Sequence, residues 1–126
     1  GADFSGAWIT AADLSNSLLA GSTLAGATLA RACMKETDLT GTFAVGTDFR
    51  GTILNGATMR AANLSGANFR GASLIDADLS LADLVGADLR GAQLDGAKLN
   101  GSRHDGTTRW PETFKPLTSG GIESHE

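Results

Sequence analysis

The sequence predicts an all-β solenoid that turns every five residues and closes a square coil every twenty. Three observations carry this expectation. A large apolar residue recurs at every fifth position, a small residue stands two places before it, and glycine is the commonest residue two places after it. A period of five is neither the roughly 3.6 of an α-helix nor the 2 of a flat strand.

Counted from Phe4 in steps of five, the centres run from Ile9 and Leu14 through Met34, Ala44, Phe49 and Met59 to Leu99. Nineteen of the twenty are large and apolar, and Ala44 is the exception. The position two before a centre is Ala, Ser or Thr throughout, from Ala2 to Ala97. One large and one small side chain per pentad therefore point inward while the other three face water. The chain must turn once per pentad, and glycine tolerates the backbone angles of a tight turn. No single unit can bury its own apolar residue, so successive coils stack into a continuous core. A helical reading fails: thirteen glycines stand at fifth positions, each costing about 1 kcal/mol inside a helix.

The larger period is visible in "TDFRG", "ANFRG" and "ADLRG", which end at Gly51, Gly71 and Gly91. If four pentads close one coil, residues twenty apart lie one above another. Arg50, Arg70 and Arg90 then form a column up one wall, and Phe49, Phe69 and Leu89 form the core ladder behind it.

The stretches "ANLSGANFRGASL" and "ADLVGADLRGAQL" resemble the A(D/N)LxG pattern of the pentapeptide-repeat family, over residues 2 to about 101. The resemblance implies a right-handed, four-sided parallel β-helix of five coils, about 24 Å long at the usual inter-strand spacing. The closing "TTRWPETFKPLTSG" is similar to the tails of small bacterial, often cyanobacterial, members. That division gives a β-helix over 1–101 and a C-terminal cap and tail over 102–126.

The 126 residues suffice for one domain. A net charge of −4 argues against direct nucleic-acid binding, which calls for a basic stripe. The single Cys33 excludes an internal disulfide and a cysteine-based zinc site. No run of 18 apolar residues is present to suggest a membrane span. The compartment is left open: cytoplasm by default, periplasm or thylakoid lumen if a targeting segment preceded Gly1.

At the ends, Trp110, Phe114 and Leu117 are expected to cover the last coil, since an open coil exposes bare core and unpaired backbone. No comparable cap precedes Phe4. An upstream segment, Trp8 folded over the end, or end-to-end self-association are the open alternatives. "TFAVG", Thr42 to Gly46, places Ala44 at a centre within a full coil of threonines, Thr37, Thr42, Thr47 and Thr52. A repacked coil is the expectation there. The alternative is an apolar partner spot formed by Phe43 and Val45, with Val85 further along the wall.

No catalytic, cofactor or metal constellation stands out. His104 and His125 lie in the tail and read as solvated, and Cys33 reads as an outward-facing inert thiol beside Lys35. An enzyme is not expected. The surface offers two candidates. The first is a partner face on Asp48, Arg50, Asn68, Arg70, Asp88 and Arg90, whose default reading is a self-compensating charge ladder. The second is an acidic patch of Asp76, Asp78, Asp83 and Asp88. The expected function is a non-catalytic module or scaffold that binds another protein. The family resemblance adds an alternative, a DNA mimic that modulates a type II topoisomerase. Duplex DNA carries a charge per about 1.7 Å, or about fourteen over such a rod, whereas residues 1–101 hold ten acids against seven bases.

Overall fold

In the computed structural model, which describes residues 1–112 and Phe114, the chain winds through four walls per coil. Each wall is reduced to one bridge residue per coil, the residue just before a centre, and each bridge is parallel to the one twenty residues on. Wall 1 runs from Asp3 to Arg103, wall 2 from Trp8 to Arg109, wall 3 from Asp13 to Gln93, and wall 4 from Leu18 to Lys98. The centres form four columns inside. From Leu24 to Leu99 they are buried, whereas Phe4, Ile9, Leu14 and Leu19 of the first coil are only partly covered.

The corners follow one rule. Every centre C=O but that of Ile9 accepts from the N–H three residues on, as in Ala7 N–H to Phe4 at 2.9 Å. The residue two past each centre then has positive φ, which is the pattern of a type II turn. The positive φ holds at all twenty corners, including the seven that are not glycine: Ala11, Asn16, Arg31, Glu36, Ala61, Asp76 and Leu81, with φ between 58° and 63°. The stacked coils thus impose the left-handed conformation even on Leu81 and Arg31, for which it costs about 1–2 kcal/mol.

The Asp or Asn in the consensus has a local task. The N–H just after each centre has no ladder partner, and an outward Asp or Asn just before the centre accepts it. Asp3 takes Ser5 N–H at 2.9 Å, Asn68 takes Arg70 N–H at 3.0 Å and Asp88 takes Arg90 N–H at 3.1 Å. Short polar side chains suit this two-residue hook.

The Ala44 gap is closed by its own coil. Ala44 is fully buried, and Thr42, Thr47 and Thr52 in the same coil replace the usual Ala with a larger side chain. Thr47 Oγ1 donates to Leu24 O at 2.7 Å and Thr52 Oγ1 to Phe49 O at 2.8 Å, whereas Thr42 Oγ1 is buried with no hydrogen-bond partner among the described residues.

The regular ladder does not stop at Gly101. Arg103 bridges Asp83, and after one inserted residue Arg109 bridges Asp88. His104 consequently occupies a centre above Leu84 and is 1% exposed, which corrects the expectation of a solvated tail histidine. Thr108 takes the small inward position, donating to Leu84 O at 2.8 Å. Trp110 follows two residues later, at the place of a centre over Leu89. Its ring stands edge-on to His104 at 5.3 Å and stacks on Phe114 at 5.0 Å. Both Trp110 and Phe114 pack against the core. Leu117 and His125 lie outside the described residues. Trp8 does not fold over the first coil: it is 86% exposed on wall 2.

Candidate partner surface

Wall 2 gathers the arginines because the twenty-residue register puts Arg50, Arg70 and Arg90 in one outward column. Behind them the Phe49 and Phe69 rings stack at 4.8 Å, 5° from parallel, and Leu89 is fully buried above. A flat, rigid inner ladder thus holds the column in register.

The arginines differ in how they are neutralised. Arg50 donates from Nε to Asp48 Oδ1 at 2.9 Å and from Nη2 to Asp48 Oδ2 at 2.7 Å. Arg90 repeats the arrangement on Asp88 at 3.0 and 2.8 Å. Each pair lies within one coil, so the aspartates grip their own arginine rather than bridging between coils. Asn68 holds the middle coil's place. It hooks the Arg70 N–H as an aspartate would but brings no charge, and no described carboxylate lies within ion-pair distance of the Arg70 guanidinium. The Arg50 guanidinium holds Asp48 below the ordinary carboxylate range, with Arg31 assisting through space. The Arg90 guanidinium does the same for Asp88, with Arg70 assisting.

Charge is segregated around the rod. Wall 2 and the corner after it carry Arg31, Arg50, Arg70, Arg90 and Arg109 against Asp48, Asp88 and Glu112, five minus three, a surplus of two positive charges. Wall 3 and the corner after it carry Asp13, Glu36, Asp76 and Asp95 against Lys35, a surplus of three negative charges.

The four aspartates read as an acidic patch are not brought together. Asp76 stands on a corner, Asp78 on wall 4, Asp83 on wall 1 and Asp88 on wall 2. Residues five apart are a quarter-turn apart, so a cluster in sequence becomes a spiral in space. Three of them are also ion-paired, Asp78 with Arg60 at 3.6 Å, Asp83 with Arg103 at 3.5 Å and Asp88 with Arg90 at 2.8 Å.

Elsewhere, Phe43 is 49% exposed on wall 1, with Val45 and Val85 half-buried. Cys33 faces outward on wall 3, its Sγ 3.2 Å from Ser15 Oγ. Leu18 and Trp8 are exposed, and sequence reasoning did not single out Leu18. Its place before a centre marks it as outward-facing, but the apolar character hid that signal. Among the described residues no group of His, Cys, Asp and Glu is arranged to hold a metal ion.

The family model for pentapeptide repeats matches residues 1–35, 32–71 and 62–101. The solved structure of Rfr23, a pentapeptide repeat protein from the cyanobacterium Cyanothece 51142, is 26% identical, with 86% of this chain and 90% of that one covered and a TM-score of 0.73. A pentapeptide repeat protein from Nostoc is 32% identical over 97% of this chain and 84% of its own, with a TM-score of 0.44. A pentapeptide repeat protein of the Arabidopsis thaliana thylakoid lumen is 28% identical over 73% of this chain and 61% of its own, with a TM-score of 0.39. A comparison with curated proteins found no match. A register of twenty pentads, parallel bridges at intervals of twenty, the family model and the likeness to Rfr23 agree: the chain belongs to the pentapeptide repeat family, and its fold is the right-handed four-sided parallel β-helix.

Proposed function

We propose that the protein is a non-catalytic binding module whose wall 2 engages another protein. The observation that carries this reading is the positive surplus on wall 2 of a chain whose net charge is −4. Arginine and tryptophan are the residues most enriched at the energetic centres of interfaces, and the same wall carries Trp8, 86% exposed. A solenoid supports such a role because each coil is held by its neighbours, so a partner meets side chains that are already in place.

The DNA-mimic alternative needs a continuous acidic face. The spiral placement of Asp76, Asp78, Asp83 and Asp88, three of them paired, gives it no support among the described residues.

The test is a pull-down from bacterial lysate with wild type and a variant carrying Arg50, Arg70 and Arg90 all changed to Ala. A partner held by wild type and lost by the variant supports the wall as the binding face. A partner held equally by both removes wall 2 from the reading, and a type II topoisomerase held by both favours the DNA mimic instead.

A further inference from the structure

The surplus positive charge of wall 2 has a pattern. Arg50 and Arg90 are each taken by an aspartate of their own coil, which leaves Arg31, Arg70 and Arg109 without a carboxylate at ion-pair distance among the described residues. These three stand in the second, fourth and sixth coils, so the cations without a direct ion pair recur at every second coil. They also step sideways. Arg31 stands on the corner, Arg70 one residue in from that corner, and Arg109 at the bridge position of the wall. The line through them therefore crosses wall 2 obliquely.

Its spacing can be compared with what a partner chain offers. Two coils rise about 9.6 Å, and sideways steps of one and two residues lengthen the separations to about 10 and 12 Å. Seven residues of α-helix advance about 10.5 Å and return to the same face. Side chains on one face of a strand recur at about 6.7 and 13.4 Å, which comes about as close as the helix to the second step but misses the first by about 3 Å. Long arginine side chains absorb a mismatch of an ångström but not one of three.

We infer that wall 2 receives an acidic α-helix of a partner protein, with carboxylates at seven-residue intervals meeting Arg31, Arg70 and Arg109; this rests on reading wall 2 as the partner face. Arg70 is the middle anchor. Asn68 is what keeps it available, since an aspartate there would take the guanidinium as Asp48 takes Arg50 and Asp88 takes Arg90. Arg50 and Arg90, already engaged, hold the neighbouring coils neutral and prevent a uniform basic stripe that would accept any polyanion.

The probe is a fluorescein-labelled 21-residue peptide, helical in an Ala/Gln background, with Glu at positions 4, 11 and 18. A control has the same composition with Glu at positions 4, 9 and 14. Fluorescence anisotropy is read at low salt, where exposed charges are least screened. The heptad peptide is expected to bind at least tenfold more tightly than the control. Arg70→Ala should weaken it at least tenfold, and Asn68→Asp, which keeps the turn hook and the fold, at least threefold. Arg60→Ala, on wall 4, should leave it unchanged. Equal binding of the two peptides, equal competition by a 21-base-pair duplex, or full affinity in Arg70→Ala and Asn68→Asp would overturn the inference. If the heptad peptide fails while the triple arginine variant still loses its captured protein, the helix is wrong and the partner face stands. If that variant keeps every captured protein, the partner face itself falls.

Discussion

Two threonines five residues apart supply a test with opposite signs. Thr42 and Thr47 occupy the same small inward position in successive pentads, and both are buried, at 1% and 0% exposure. Thr47 Oγ1 donates to Leu24 O at 2.7 Å; Thr42 Oγ1 is buried without a hydrogen-bond partner among the described residues. Replacing Thr by Val keeps the shape and removes the hydroxyl. At position 47 the loss is one buried hydrogen bond, about 1 kcal/mol. Leu24 O keeps its bond from the Ala27 N–H at 2.9 Å, so no acceptor is stranded and the cost should not rise far above that. At position 42 the substitution removes a desolvated and unsatisfied hydroxyl, so stability should rise by about 1 kcal/mol. The two variants should differ by about 2 kcal/mol. The assay is urea unfolding followed by far-ultraviolet circular dichroism, comparing midpoints at an unchanged slope. If Thr42→Val destabilises as much as Thr47→Val, then the Thr42 hydroxyl is satisfied and the assignment of these two side chains is wrong.

Further outcomes follow from other parts of the rod. Gly46→Ala adds a Cβ that meets nothing within 4 Å at φ +67°, so its whole cost is conformational, about 1 kcal/mol. Ala61→Gly at φ 59° relieves that strain but loosens the unfolded chain, and should fall within about 0.5 kcal/mol of wild type; unchanged stability of Gly46→Ala would discredit the corner argument. Trp110→Ala should cost about 2–3 kcal/mol, seen as a lower unfolding midpoint and as loss of the shielded component of tryptophan fluorescence, because Trp8 is 86% exposed. Asp48 and Asp88 have carboxyls held below the ordinary value of 3.8 by their arginines. Their contribution is therefore complete above that value and lost as pH falls through the lower folded-state value. It is small because both pairs are largely solvated. Asp48→Asn with Asp88→Asn should flatten stability against pH below about 4, and an unaltered acid limb would rule out these pairs as its source.

Much of this was legible in the chain. Period-five centres and the small residues before them dictate which side chains point inward, because no other register buries Leu24, Phe49 and Leu89 together. The interval of twenty by itself puts Arg50, Arg70 and Arg90 in one column. His104 was misread because its pentad, "GSRHD", lacks an apolar centre. Backbone pairing of Arg103 with Asp83 nevertheless carries the coil onward, and continuing the ladder buries the imidazole. Asp76, Asp78, Asp83 and Asp88 were misread as one patch because proximity in sequence is not proximity on a rod that turns a corner every five residues.

The sequence alone determined the repeat, the inward and outward faces and the walls, since those follow from a strict period and from the need of each coil to bury its apolar residue on the next. Tertiary structure decided what each outward charge does. Asp48 and Asp88 close on the arginines of their own coils, while Asn68 leaves Arg70 without a direct ion pair among the described residues. That difference is set by side-chain geometry across one turn and by the coils above and below, which a period cannot encode.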